Sequence, residues 1–301
     1  MMAREIMRQV ILLLLIIATA CRSSASSNPQ ADPVVLTSTT FLADITRNIA
    51  GDRVEVGSLL PVGVDPHSYQ PTPEDVARIE QSKLLIINGA EYEHFLESLL
   101  ENAGGERETI EASAGLSVRE EAESEHGVDP HLWLDPNNVV TYVENIREAL
   151  THFDPDGAAT YQTNADAYIN QLKDLHTWIN EQVSQVPSEK RLLVTNHEAL
   201  GYFSDHYGFT IIGAVVPSVS SVASPSAGEM AELIDLIKSS GAPAIFLDEV
   251  ENPALAQQIA DETGVAVITD LHLESLTDGP PAGTYIDMIK YNVTQIVEAL
   301  N

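Results

Sequence analysis

The sequence predicts an α/β fold of two lobes, each a mostly parallel sheet flanked by helices, joined by one long rigid helix. Three observations carry this. From Val34 onward, short β-branched runs alternate with longer amphipathic ones, the pattern of βα units that build parallel sheets covered by helices. The alternation comes in two series. Between them, Ala158 to Val186 holds no glycine or proline, and Tyr161, Ala165, Tyr168, Ile169, Leu172, Leu175, Ile179 and Val183 recur near helical spacing.

In the first series the expected strands are Val34 to Thr39, Val54 to Leu60 and Lys83 to Asn88. Helices are expected over Thr40 to Ile49, Pro73 to Gln81 and Tyr92 to Glu101. The second of these opens on Thr72-Pro73-Glu74-Asp75, a capping threonine followed by proline at the first helical position. The uninterrupted segment from Ala158 makes a single helix of roughly 40 Å at the rise per residue of an α-helix. It leaves little room for hinge motion. The second series supplies strands over Arg191 to Thr195, Thr210 to Val216, Ala244 to Asp248 and Val265 to Thr269. Ser226-Ala-Gly-Glu229 is a capping box opening a helix that runs to Ser239, and Asn252-Pro253 opens another. The corresponding divisions are an N-terminal lobe over 34–156, a linking helix over 157–187 and a C-terminal lobe over 188–301.

The residues before Val34 belong to a different class of segment. Arg4 and Arg8 precede an apolar run, Val10 to Ile17, too short to span a bilayer, so residues 1–20 read as a secretory signal peptide. The run ends in Ala18-Thr19-Ala20-Cys21, small residues directly before the single cysteine of the sequence. This resembles the lipobox of bacterial lipoproteins, with alanine at 18 where leucine is more common, and it implies lipidation at Cys21. The alternative is an ordinary signal peptide with a chance cysteine. Residues 21–33, rich in serine and proline, form a polar tether. No segment after the signal is apolar enough to cross a membrane.

With 45 acidic against 15 basic residues the chain carries a formal charge of −30, which argues against a nucleic-acid partner. The excess reads as solvated helix faces. It does not mark a cation site, because metal sites use a few converging ligands. Nine histidines are present, and three of them share a local setting. His67 lies in Gly63-Val-Asp-Pro-His-Ser-Tyr-Gln-Pro-Thr-Pro73, a turn-rich loop stiffened by prolines. His131 lies in Asp129-Pro-His-Leu-Trp-Leu-Asp-Pro136, where Asp129 or Asp135 is placed to accept the second N–H of a metal-bound imidazole. Alternatively, Asp135 caps a helix. His197 follows the strand ending at Thr195, at the carboxyl end where open α/β sheets place their ligands.

These segments, together with Asn196-His197-Glu-Ala-Leu-Gly-Tyr-Phe203, Gly283-Thr-Tyr-Ile-Asp-Met-Ile-Lys-Tyr-Asn292 and the long helix, cover most of the folded chain. In this order they resemble the metal-binding substrate-binding proteins of bacterial zinc and manganese ABC transporters. The resemblance implies a metal site in the cleft between the lobes, with His67 and His131 as the first two ligands. The third falls five residues before Tyr202, which selects His197 over Glu198. The fourth is usually the aspartate of an Asp-Ser-Leu segment. Here that segment is Glu274-Ser275-Leu276, a departure that leaves Asp270 and Asp278 as competitors.

Three imidazoles and one carboxylate favour Zn²⁺, with Mn²⁺ or iron as the alternative. The resemblance further implies a monomer outside the cytoplasm, held to the membrane by its lipid, that delivers its ion to a membrane permease. Binding needs deprotonated imidazoles, so affinity falls below about pH 6.5. Zinc-type relatives often carry a His- and acid-rich loop; here Glu120 to Gly127 is short and holds one histidine, His126. His94, His152, His176, His206 and His272 sit in no such motif and default to surface or core roles. The enzyme reading is a zinc hydrolase with an open three-histidine site and Glu198 or Asp129 as base, which requires that Glu274 not ligate. No HExxH, nucleophile elbow or phosphate-cradling glycine loop supports another enzyme class. Some members of the family are described as adhesins, but the chain holds no adhesive repeat.

Overall fold

Hydrophobic runs too short to stand alone pair here into two separate four-stranded parallel sheets. The structure, a computed structural model, describes residues 34–120 and 127–301. The expected signal segment, Cys21, the tether and His126 lie outside the described residues. The first sheet consists of β1 (Val35–Thr37), β2 (Val56–Ser58), β3 (Leu84–Ile87) and β4 (Glu108–Glu111), in the order β2-β1-β3-β4. The second consists of β7 (Leu192–Thr195), β8 (Thr210–Ala214), β9 (Ala244–Asp248) and β10 (Ala266–Leu271), in the order β10-β9-β7-β8. Every pairing in both is parallel. A short antiparallel ladder, β5 (Arg119–Glu120) with β6 (Val128–Asp129), lies between them in sequence.

Crossover helices make parallel pairing possible. In the first sheet they are α1 (Thr40–Ala50), α2 (Pro73–Gln81) and α3 (His94–Asn102). α4 (Pro136–Phe153) and α5 (Ala158–Val183) follow, then α6 (Gly201–Tyr207), α7 (Ala227–Ser240) and α8 (Ala254–Thr263) among the strands of the second sheet, and α9 (Tyr285–Leu300) closes the chain. Expected and observed elements agree in kind. The capping box expected at Ser226 is present, and the expected Thr72 cap is a capping box too: Thr72 accepts from the Asp75 amide, Ser226 from that of Glu229, and both carboxylates reach back. The reading of the sequence sets no bounds for β4, the β5/β6 ladder, α4 or α9, although Asp135 is weighed as a helix cap.

Helix α5 has 26 residues, which gives about 39 Å of length. Tyr161, Ala165, Tyr168, Leu172, Leu175, Ile179 and Val183 are its buried face. It packs on α1 and α4 from the first half of the chain and on α9 from the second, so one apolar stripe ties both halves to a common core. Trp133 sits in that core, stacked on Phe41 at 4.6 Å between ring centroids, and its indole N–H donates to the Leu273 carbonyl at 2.9 Å. Among the described residues no helix is long and apolar enough to cross a membrane.

Each sheet reverses its strand order once, at β1/β3 and at β7/β9. Strand ends at such reversals leave a crevice, because the crossovers on either side run to opposite faces. His197 follows a strand at such a reversal, while His67, His131 and Glu274 follow β2, β6 and β10.

Candidate metal centre

His197 follows β7 directly, on one side of the β7/β9 reversal. Across that reversal Glu251 lies just beyond β9. Its Oε1 accepts from His197 Nδ1 at 2.6 Å and from Asn196 Nδ2 at 2.7 Å, while Oε2 accepts from the Asp248 amide at 2.7 Å. A hydrogen on Nδ1 leaves the lone pair on Nε2, which faces the site.

His131 is held the same way. Asp129 Oδ1 accepts from its ring Nδ1 and from its backbone amide, each at 2.9 Å, so Asp129 orients this imidazole. Asp135 instead caps α4 through the Asn137 amide. Behind Asp129, Gly201 leaves no space for a side chain, since an added Cβ would meet Asp129 Oδ2 at 2.8 Å.

His67 lies on the loop between β2 and α2. Its amide donates to Asp65 Oδ1 at 2.9 Å, and Ser221 Oγ donates to the other oxygen of Asp65 at 2.8 Å. Tyr69 ties the far side of the loop to the cap of α2, donating to Asp75 at 2.6 Å. Glu274 stands in the segment after β10. Asp248 accepts from its amide at 2.9 Å and also from the amide of Leu273. Neighbouring amides and hydroxyls fasten the segment to the first half of the chain: Gly63 N–H donates to Ser275 Oγ and Leu276 N–H to Thr40 Oγ1, both at 2.9 Å.

The four side chains meet. One ligand atom from each of His67, His131, His197 and Glu274 lies within 4.8 Å of all the others. Glu274 Oε1 is 3.2 Å from His131 Nε2, 3.3 Å from His197 Nε2 and 3.9 Å from His67 Nε2, and the Nε2 atoms of His131 and His197 are 3.3 Å apart. A tetrahedral shell with bonds of about 2.0–2.1 Å has edges of about 3.3–3.4 Å. Three of the four distances match that edge, and the His67 distance is longer. His67 Nε2 and Glu274 Oε1 are buried without a hydrogen-bond partner, an arrangement that costs free energy unless something at the centre satisfies both. Asp270 and Asp278 are exposed, and Asp270 instead accepts from the Tyr291 hydroxyl at 2.6 Å.

The electrostatics have one cause, a buried carboxylate among imidazoles. Burial drives the Glu274 carboxyl upward, but the charge of His131 and the close approach of the His197 and His67 imidazoles outweigh it and hold the group well below its usual range. Burial lowers His197, yet the hydrogen bond to Glu251 and the nearby Glu274 carboxylate keep it well above the ordinary imidazole value. His131 is raised against its own burial by Glu274 and Asp129. Asp248 is pushed up to about 7 by burial and by the neighbouring Glu274 charge. Any cation entering here competes with protons.

Tyr92, Asp248 and Glu251 escaped the reading of the sequence. Glu251 touches His197 only because β7 and β9 are neighbours, and strand order is not written in local pattern. The other histidines lie apart from the cluster. His94 lines the opening outside His67, a cavity of about 660 Å³ shared with Pro66, Tyr69 and Ser220. His152 is exposed beside Glu108, His176 and His206 meet edge-on near Tyr207, and His272 lies 3.0 Å from Glu249.

Two parallel sheets whose loops bring together one buried N₃O cluster define a two-lobed solute-binding protein with a cation-sized pocket. Comparison with known proteins names the family. The family described as zinc-uptake complex component A, periplasmic, matches residues 35–299. The manganese-binding lipoprotein MntA of Halalkalibacterium halodurans is 34% identical, with 97% of each chain covered. The iron-binding protein YfeA of Yersinia pestis is 32% identical over 88% of this chain and 85% of its own. The periplasmic zinc-binding protein TroA of Treponema pallidum superposes with a TM-score of 0.81 at 31% identity, covering 89% of this chain and 99% of its own. The chain belongs to this family, the metal-binding substrate-binding proteins of ABC transporters, and is a binding protein, not an enzyme.

Proposed function

We propose that His67, His131, His197 and Glu274 together hold one divalent transition-metal ion, captured outside the cytoplasm and passed to the permease of an ABC transporter. The observation that carries this is the convergence of four buried ligand atoms, two of them without any protein partner. The ion is cargo, so the site must both bind and release it. The loop carrying His67 is the mobile wall in this reading, because His67 stands farthest from Glu274 and borders the opening.

Zn²⁺ is the ion this donor set suits best. Three neutral imidazoles and one carboxylate oxygen at near-tetrahedral edges match its preferred shell, and the affinity order places it well above Mn²⁺. Mn²⁺ is the second reading, supported by relatives named as manganese-binding lipoproteins. Lipidation at Cys21, after removal of residues 1–20, would hold the monomer at the membrane surface within reach of the permease, and relatives named as lipoproteins support it. The lobes at 34–156 and 188–301, joined over 157–187, supply two ligands each.

The test is metal content after purification without added metal, followed by competition between Zn²⁺ and Mn²⁺. One equivalent of zinc that equimolar Mn²⁺ fails to displace is the expected result. Displacement at equal concentration transfers the assignment to manganese, and absence of stoichiometric binding to either ion overturns the capture reading.

A further inference from the structure

The second oxygen of Glu274 is already taken. Tyr92 Oη donates to Glu274 Oε2 at 2.5 Å, while Oε1 alone faces the three Nε2 atoms. We infer that Tyr92 is a positioning residue that fixes Glu274 as a one-oxygen ligand and thereby sets the metal preference of the site. The inference rests on the proposed four-ligand site and adds to it what decides the coordination number.

Glutamate is one methylene longer than the aspartate usual at this position, so its carboxylate has the reach to swing both oxygens onto an ion. A carboxylate that binds through two oxygens adds a hard donor and raises the coordination number, which suits Mn²⁺. Holding Oε2 on a hydroxyl leaves N₃O, four donors, which suits Zn²⁺. The reach of Glu274 is therefore neutralised by a hydrogen bond.

Tyr92 is held firmly enough to do this. Its side chain is buried, with the ring 4.8 Å from Trp133 and edge-on to His67 at 5.6 Å. The turn presenting it runs through two non-glycine residues in the left-handed region, Ala90 at φ 51° and Glu91 at φ 61°. Such backbone persists only where the surroundings dictate it. Here Glu93 clamps the turn, accepting from Ser38 Oγ at 2.7 Å and from the amides of Asn88 at 2.5 Å and Gly89 at 3.1 Å. Asn88 Nδ2 in turn donates to the Pro130 carbonyl at 3.0 Å, next to His131. The Tyr92 hydroxyl and the His131 ring thus share one rigid frame.

The experiment is Tyr92→Phe in the full protein, with folding checked by its thermal melt. Two readouts are taken: the visible spectrum of the Co²⁺-loaded protein and the ratio of Zn²⁺ to Mn²⁺ affinity. The unsubstituted protein should give the intense d–d bands of four-coordinate Co²⁺. In Tyr92→Phe the bands should weaken as Oε2 joins the ion, and the Zn²⁺ to Mn²⁺ ratio should fall about tenfold or more, the scale of an outer-partner loss. An unchanged spectrum and ratio overturns the inference, as does a five- or six-coordinate spectrum before substitution, and neither touches the capture reading. A Glu274→Gln background supplies the control, because an amide ligates through its single oxygen. There Tyr92→Phe should leave the ratio unchanged, and a persisting tenfold change would assign the effect to ring packing and overturn the inference. If the unsubstituted protein and His131→Ala bind Zn²⁺ alike, the four-ligand site itself fails.

Discussion

Replacing Glu251 by glutamine tests how much of the metal affinity comes from beyond the ligands. The residue touches no ion in this account; one of its oxygens holds His197 Nδ1 at 2.6 Å, and the other holds the Asp248 amide at 2.7 Å. Glutamine keeps the shape and removes the charge that makes the imidazole a stronger donor. Losses of this kind cost about 10–100-fold in affinity, or about 1.4–2.7 kcal/mol. The pH dependence changes in a definite direction. His197 is raised well above its usual value, with the Glu251 hydrogen bond the largest upward contribution against burial. Below the raised value a cation must displace a proton, so affinity climbs with pH and levels off only above it. In Glu251→Gln the imidazole titrates lower, and the levelling moves to lower pH while the plateau affinity drops. Calorimetric titration with Zn²⁺ across a pH series reads both. Unchanged plateau and unchanged levelling would refute the coupling of Glu251 to the site.

Other substitutions separate ligand, support and scaffold. His131→Ala should lose more affinity than the 100-fold or so at the upper end for an outer partner, with the folded circular dichroism spectrum retained. Gly201→Ala pushes a methyl into Asp129 Oδ2 and Arg119 Nε; it should cost about 1–3 kcal/mol in denaturant unfolding and weaken Zn²⁺ binding through a displaced Asp129. Leu172→Ala, on the buried face of α5, should cost about 2–5 kcal/mol of stability and leave the affinity of the remaining folded protein unchanged. Saturating Zn²⁺ at about 1,000 times its Kd should raise the unfolding free energy by about 4 kcal/mol, a gain that a chelator reverses in a thermal melt.

Local signals in the sequence carried much of the fold. Thr72 and Ser226 mark their helix starts because a side-chain cap needs only four residues, and β9 reads as Ala244 to Asp248 because its apolar run ends abruptly at a charge. β4 did not show itself: Glu-Thr-Ile-Glu at a sheet edge has a single apolar residue, and its place beside β3 is a long-range fact. The start of α4 is legible as Asp135 before Pro136, the capping alternative that the structure bears out, whereas α9 carries a signal, Thr284 three residues before Asp287, that the reading of the sequence leaves aside.

The candidate site divides in the same way. His67, His131 and His197 stand in motifs, and Glu274 was picked out by a family resemblance. Their partners Tyr92, Asp248 and Glu251 reach them across strand neighbours or between the halves of the chain, so nothing local announces them. The choice between Asp129 and Asp135 also needed coordinates, because both stand near His131 in sequence and one faces its ring while the other caps a helix.

Diffraction at the zinc absorption edge from crystals of the Zn²⁺-loaded protein tests the central claim most directly. The account predicts one strong anomalous peak per chain, about 2.0–2.1 Å from the Nε2 atoms of His67, His131 and His197 and from Glu274 Oε1. A principal peak elsewhere, or one bonded to fewer than three of these four atoms, would contradict it.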